Sequence, residues 1–217
     1  MTATAAQPLL VAALGLLGLL TSPLAEVLIA RCLPRLGGLP SPVIRITTAV
    51  ATAALFALLT LRFGFSPTLP AYLLLAALAV QLSRVDVVHH LLPNPLVLLL
   101  LAGGLGLLTM SATLVPDWSG LLRAAAGAVI LFLGYLILGL VSPGGLGMGD
   151  VKLAAPLGMY LGYLGWTQVF YGGLLGFVVG GVVTVLLLLV KRGIKPGEVA
   201  HGPAMFAAAI GVVLLVR

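Results

Sequence analysis

Gly144-Gly145-Leu146-Gly147-Met148-Gly149-Asp150-Val151-Lys152 joins two long apolar runs and carries one of only five acidic residues in a chain of 217. A carboxylate at the edge of a bilayer is costly, and residues of this kind are characteristically functional. The runs on either side set the fold class. The chain is 61% hydrophobic and 7% charged, whereas a soluble domain is about one quarter charged. Too few charges exist to cover a globular surface, and repeated apolar runs of spanning length indicate an all-α, polytopic membrane protein. The opening run has no basic n-region and many runs follow it, so it does not read as a cleaved signal peptide.

About eight transmembrane helices are expected, and not fewer than six. They fall near 8–30, 43–61, 69–82, 96–112, 121–141, 150–161, 166–190 and 203–216, in one transmembrane domain over 1–217. Eight spans put both termini on one side. With the N-terminus outside, the inner ends hold Arg31, Arg35, Arg45, Arg84, Lys152, Lys191, Arg192 and Lys195, and the outer side holds Arg62, Arg123 and Arg217. The positive-inside rule then favours both termini out. The net charge of +6 is scattered at span ends rather than clustered on one face, so no nucleic acid is expected as a partner. Membrane lipids are.

This topology puts a second acid, Asp86, at the same inner face as Asp150, two spans earlier. Two carboxyls a few ångströms apart suit peptide hydrolysis. Like charges so close cannot both ionise, so the pair shares one proton. The ionised member takes a proton from water, and the protonated member donates towards the substrate carbonyl. Asp150 is expected at the start of the sixth helix, where the positive dipole end favours its ionised form. Gly147 and Gly149 offer unusual backbone shapes and close approach, and Lys152 is placed to meet a lipid headgroup or tune the pair.

Other readings of the same residues are plainer. The glycine stretch also reads as a turn with an N-cap aspartate, and Asp86 as a solvated charge beside Arg84. Pro93-Asn94-Pro95 stops one helix and starts the next. His89 and His90 follow Asp86 at i+3 and i+4; with His201 they raise a metal site as an alternative, but no HExxH appears and no metal is expected. Asp117 lies in an outer loop and Glu198 in a basic inner one. Glu26 sits inside the end of the first span, to snorkel or to pair with a neighbouring helix. Cys32 is the only cysteine, which excludes an intramolecular disulfide and a CxxC pair. Paired glycines in the seventh span read as helix packing.

Residues 147–153, Gly-Met-Gly-Asp-Val-Lys-Leu, resemble the GxGDxK signature of type IV prepilin peptidases, the A24-type aspartic peptidases of bacterial membranes. Asp86, six residues, then Pro93-Asn94 resembles that family's first aspartate motif, with His89 where the family often has His or Arg. Gly202-Pro203 resembles its FGP element, with His201 in place of the aromatic, and 26–34 is weakly similar to its NVVIYRLP segment. The resemblance is strongest over about 70–160. It implies Asp86 and Asp150 as the catalytic residues, with Gly147, Gly149, Lys152, His89, Pro93, Asn94, Gly202 and Pro203 as supporting motif residues. It also implies no cofactor, location in the cytoplasmic membrane, and cleavage of prepilin or pseudopilin leaders at the inner face. The CxxC insertion that many members carry after the first span is absent from 31–42, so methyltransferase activity is not expected. Two readings from other classes compete: a non-catalytic assembly factor of the same fold, and a small transporter using the two aspartates as a proton relay.

Overall fold

The computed structural model describes residues 3–141, 146–190 and 200–216. Gly144, Gly145, Lys191, Arg192, Lys195, Glu198 and Arg217, which entered the sequence reading, lie outside them. The described residues form eight α-helices: α1 (Ala3–Cys32), α2 (Pro42–Phe63), α3 (Leu69–His89), α4 (Asn94–Leu114), α5 (Trp118–Val141), α6 (Met148–Leu164), α7 (Trp166–Val190) and α8 (Gly202–Leu215). A single 3₁₀ turn, Pro34–Leu36, lies between α1 and α2.

The chemistry of the helix ends follows the sequence. Proline stands in the first turn of α2, α3, α4 and α8, where its missing N–H removes no helical bond. Gly64 (φ 57°) ends α2 and His90 (φ 49°) ends α3, both in the left-handed region. Asp117 caps α5 by accepting from the Gly120 N–H at 2.9 Å and the Ser119 hydroxyl at 2.9 Å.

Six helices, α1 to α5 and α7, are long and apolar enough to cross a bilayer, so the chain is a multi-pass membrane protein. The other two are short: α6 has 17 residues and α8 has 14. At 1.5 Å per residue α8 reaches only about 21 Å, against an apolar bilayer core of about 30 Å. Both are shielded by protein instead. α6 is buried along nearly its whole length and packs against α4, α5, α7 and α8. Its Tyr160 carbonyl accepts the Tyr72 hydroxyl at 2.8 Å, and the Tyr160 hydroxyl reaches the Leu100 carbonyl at 3.4 Å.

α3 differs from expectation in a way that matters. It continues to His89 rather than ending near residue 82, because nothing in Ser83-Arg84-Val85-Asp86 breaks a helix. Asp86 therefore belongs to its last turn. α1 is fastened to α2 and to α3 by polar groups. Glu26, fully buried, accepts from Arg45 Nε at 3.3 Å and from the Thr48 hydroxyl at 2.6 Å. Gln81 donates to the Ser22 hydroxyl at 3.1 Å and accepts from Arg84 Nε at 3.3 Å. Glu26 thus pairs with a neighbouring helix rather than snorkelling.

α5 and α6 approach closely, at glycines the sequence reading passed over. A Cβ on Gly158 would run into the Gly127 carbonyl oxygen, and one on Gly162 would lie 2.5 Å from the Arg123 carbonyl oxygen. Backbone cannot move aside as a side chain can. Gly158→Val is therefore expected to cost about 3 kcal/mol by overpacking, read as a lower unfolding midpoint in detergent. Gly106→Ala, whose Cβ meets nothing within 4 Å, should change stability by less than about 1 kcal/mol.

Candidate active site

Asp86 reaches the site from the last turn of α3. The His90 N–H closes that turn on the Asp86 carbonyl at 2.8 Å. The left-handed His90 then turns the chain, and Pro93 caps α4 in extended geometry. The Asp86 side chain is 5% exposed, and its Oδ2 accepts from the Gly202 N–H at 3.0 Å. Gly202 is the first residue of α8, so this carboxylate sits on the positive end of that helix.

Asp150 comes from the opposite direction. It is the third residue of α6, with its N–H on the Gly147 carbonyl at 3.0 Å and its side chain 7% exposed. The N-cap residue is Gly147, not Asp150. It still stands in the positive first turn. Each aspartate thus faces the N-terminal end of a helix, and both helices begin at the same end of the bundle.

The two side chains line one cavity of about 350 Å³, with Pro93, Asn94, Gly147, Gly149 and Lys152 among its walls. Asp86 is near enough for its charge to act on Asp150. Lys152 donates to Asn94 Oδ1 at 3.1 Å, tying α6 to α4 across the rim. Among the described residues no three His, Cys, Asp or Glu side chains converge as a metal site.

The glycines serve close approach only. Gly147 has φ −72°, open to any residue, and Gly149 has no positive φ, so neither supplies an unusual backbone shape. A Cβ on Gly149 would come within 3.2 Å of the Leu92 Cβ, and one on Gly147 within 3.2 Å of Asp150 Oδ2. A Cβ on Gly202 would lie 2.8 Å from Asp86 Oδ2. Three missing side chains leave room for two carboxyls and one leucine.

Most of the expected constellation converges: Asp86, Pro93, Asn94, Gly147, Gly149, Asp150 and Lys152 line the cavity, and Gly202 bonds to Asp86. Two residues do not join it. His89 is exposed and outside the cavity wall, because α3 carries it past the turn where Asp86 points inward; His90 lines the wall instead. Pro203 lines a neighbouring groove. Asp86 makes no ion pair with Arg84, which bonds Gln81. His201 packs its ring against Gly180 of α7 rather than near His89 and His90. Burial pushes its imidazole below the usual histidine range, so it is neutral at neutral pH. Leu92, buried between Gly149 and Gly202, was missed. A leucine in a leucine-rich chain gives no sequence signal, whereas His90 was visible at i+4 from Asp86.

The pattern of the type IV leader peptidase family matches residues 72–185, just over half of the chain. The chain is 33% identical over 168 residues to the prepilin leader peptidase/N-methyltransferase of Aeromonas salmonicida (strain A449), covering 77% of this chain and 55% of that protein. It is 30% identical over 161 residues to the protein of that name from Bacillus subtilis (strain 168), covering 74% and 62%. With the one from Klebsiella pneumoniae it shares 38% over 115 residues, covering 52% and 50%. The chain therefore spans about half to two thirds of the length of these curated relatives. No solved structure matches it.

Two buried carboxyls lining one cavity are expected to retain one proton between them. A hydrophobic carbodiimide, which attacks protonated carboxyls, should label Asp86 or Asp150 at neutral pH. Asp117 should escape, since the Gly120 N–H and the Ser119 hydroxyl hold its carboxyl below the usual range. Peptide mapping after labelling in membranes reads the outcome; equal labelling of Asp117 would contradict it.

Proposed function

The chain belongs to the type IV leader peptidase family, and on that premise we propose that it is a membrane aspartic endopeptidase cleaving leaders from prepilin- or pseudopilin-type proteins. The observation that carries this reading is the meeting of Asp86 and Asp150, from helices separated by two others, in one cavity. The names of the relatives support the substrate class. The whole of 1–217 acts as one transmembrane unit. The distribution of basic residues supports a site on the cytoplasmic side of the cell membrane with both termini outside.

The mechanism follows from the pair. A water between the carboxyls is deprotonated by the ionised member and attacks the peptide carbonyl. The protonated member hydrogen-bonds to that carbonyl as negative charge develops on its oxygen. The leaving amine then collects a proton from the pair, and the dyad is restored. The helix N-termini under both carboxyls resist full protonation, while mutual repulsion resists full ionisation. The Gly202 N–H holds Asp86 in orientation, and the Lys152–Asn94 bond braces the rim. The proposal covers the peptidase half of the relatives' double name. The connection between α1 and α2 is short, and Cys32 is the single cysteine, so the residues that support the peptidase reading give none for methyl transfer.

Co-expression with a prepilin, read as the mobility shift of the shortened product, tests the proposal. Asp86→Asn and Asp150→Asn should each cut the rate by at least about 1,000-fold, comparable to the loss of an essential catalytic group, with unfolding midpoints near wild type. Chelators should have no effect. Cleavage persisting in either variant would falsify the dyad mechanism; no cleavage by the wild type would favour an assembly role.

The pH dependence has a definite sign. Below the first dyad titration both carboxyls are protonated and the base is lost. Above the second both are ionised and the acid is lost. The profile of kcat/KM should be bell-shaped, with limbs that belong to the pair rather than to either residue. A single sigmoid would contradict shared protonation.

A further inference from the structure

The start of α8 is capped from another helix. A helix start leaves its first N–H groups without partners inside the helix. In α8 the Ala204 and Met205 N–H groups turn back onto the His201 carbonyl, at 3.1 and 3.2 Å, and Pro203 has no N–H to satisfy. The donor that remains in the first turn is the Gly202 N–H, and it goes to Asp86 Oδ2 at 3.0 Å. Asp86, on α3, thus stands where a capping side chain would. The N-cap residue itself, His201, makes no side-chain cap bond, although a short polar side chain usually closes the helix from this position.

The His201 side chain is turned to α7 instead. Its ring packs on Gly180, a buried residue, so closely that a Cβ there would run into the ring. Its Nε2 is buried and bonds to nothing among the described residues. Burial without a partner costs a polar atom free energy, so this nitrogen works against the placement and the close fit of the ring on Gly180 outweighs it. His201 lines neither the cavity of the aspartates nor the apolar groove between α2, α3 and α8 that Arg84 and Pro203 line. It is therefore not placed to touch a substrate in either. The link to the pair is covalent. The His201 carbonyl and the Gly202 N–H belong to one peptide unit, which is planar and rigid. α8 fixes the carbonyl, and the ring on α7 fixes the residue that carries it. The N–H is then left with one direction, and Asp86 lies along it.

We propose that His201 is a positioning residue: its ring, seated in the notch at Gly180 of α7, aims the Gly202 N–H at Asp86 and so holds that carboxyl in its working orientation. This rests on the reading of the chain as a leader peptidase. It gives α7, which contributes no described residue to the cavity wall, a part in orienting the pair.

The test removes the ring, then the notch. His201→Ala should lower kcat for a prepilin about tenfold, the loss expected when a hydrogen bond to a charged group is misdirected, and leave KM within about twofold. The acid limb of its kcat/KM profile should move up by about one pH unit, because the misdirected N–H favoured the ionised pair. The other titratable neighbours of Asp86, Asp150 and His90, are untouched by the substitution. His201→Phe, which keeps a flat ring of similar size, should restore the rate to within about threefold of wild type. Gly180→Ala should mimic His201→Ala and add nothing to it in the double variant. Gly181→Ala, whose Cβ meets nothing within 4 Å, should match wild type. An unchanged kcat and acid limb in His201→Ala, or losses that merely follow a lower unfolding midpoint in detergent, overturn the positioning role while cleavage by the wild type stands. Carbodiimide labelling of Asp86 needs no cleavage, and it should rise at least about threefold in His201→Ala. That rise in a protein whose wild type never cleaves leaves the positioning intact and overturns the peptidase reading; labelling that does not rise overturns the positioning.

Discussion

Asp86 and Asp150 are both buried and line one cavity, where like charges are screened less than at an open surface. Two groups around the pair offset their repulsion. The Gly202 N–H bonds to one carboxylate, and that N–H belongs to the positive start of α8. The other carboxylate lies in the first turn of α6. Leu92, held between Gly149 and Gly202, packs the space between their backbones. None of these partners neutralises a full charge, since no Lys or Arg bonds to either aspartate among the described residues. The arrangement therefore stabilises one negative charge better than two, the state that acid–base chemistry by a pair requires.

This constraint explains the odd lengths of α6 and α8. Both start beside the aspartates and both are shorter than the six long apolar helices. A helix exposed to lipid at that depth would leave its terminal N–H groups unsatisfied. Here those ends face a polar cavity, and the remaining length is covered by α3, α4, α5 and α7. The glycine contacts of α5 on α6 and the Tyr72–Tyr160 bond hold the short helix at a fixed depth. Helix length, in this protein, sets where the two aspartates sit.

The legible and illegible parts of the fold divide along physical lines. Helices were legible because twenty apolar residues bounded by Gly and Pro have few alternatives in lipid. The aspartates were legible because charge is scarce, so two acids at matching span ends stand out. Residues whose role is steric were not. Leu92 is one leucine among many, and Gly127, Gly158 and Gly162 look like any other glycines until the helices they separate are placed. Of the two roles the sequence offered Gly147 and Gly149, the structure shows the close approach and not the unusual φ. His89 and His90 were ambiguous because the helix end lay seven residues beyond its expected place (82 against 89). That shift turned one imidazole out and the other into the wall.

The polar contacts between α1, α2 and α3 complete this logic. Apolar helices in lipid gain little from burying apolar surface against each other, since lipid is equally apolar. Rotation of α3 about its own axis is consequently weakly opposed by leucine and valine alone. Glu26 with Arg45 and Thr48 fixes α1 on α2, and Ser22 with Gln81 fixes α1 on α3. Gln81 in turn holds Arg84. Asp86 follows Arg84 by two positions, which on a helix is about 200°, so a rotation that keeps Arg84 on the groove keeps Asp86 in the cavity. A few buried polar contacts thus set the angle of one helix, and that angle serves both sides of it at once.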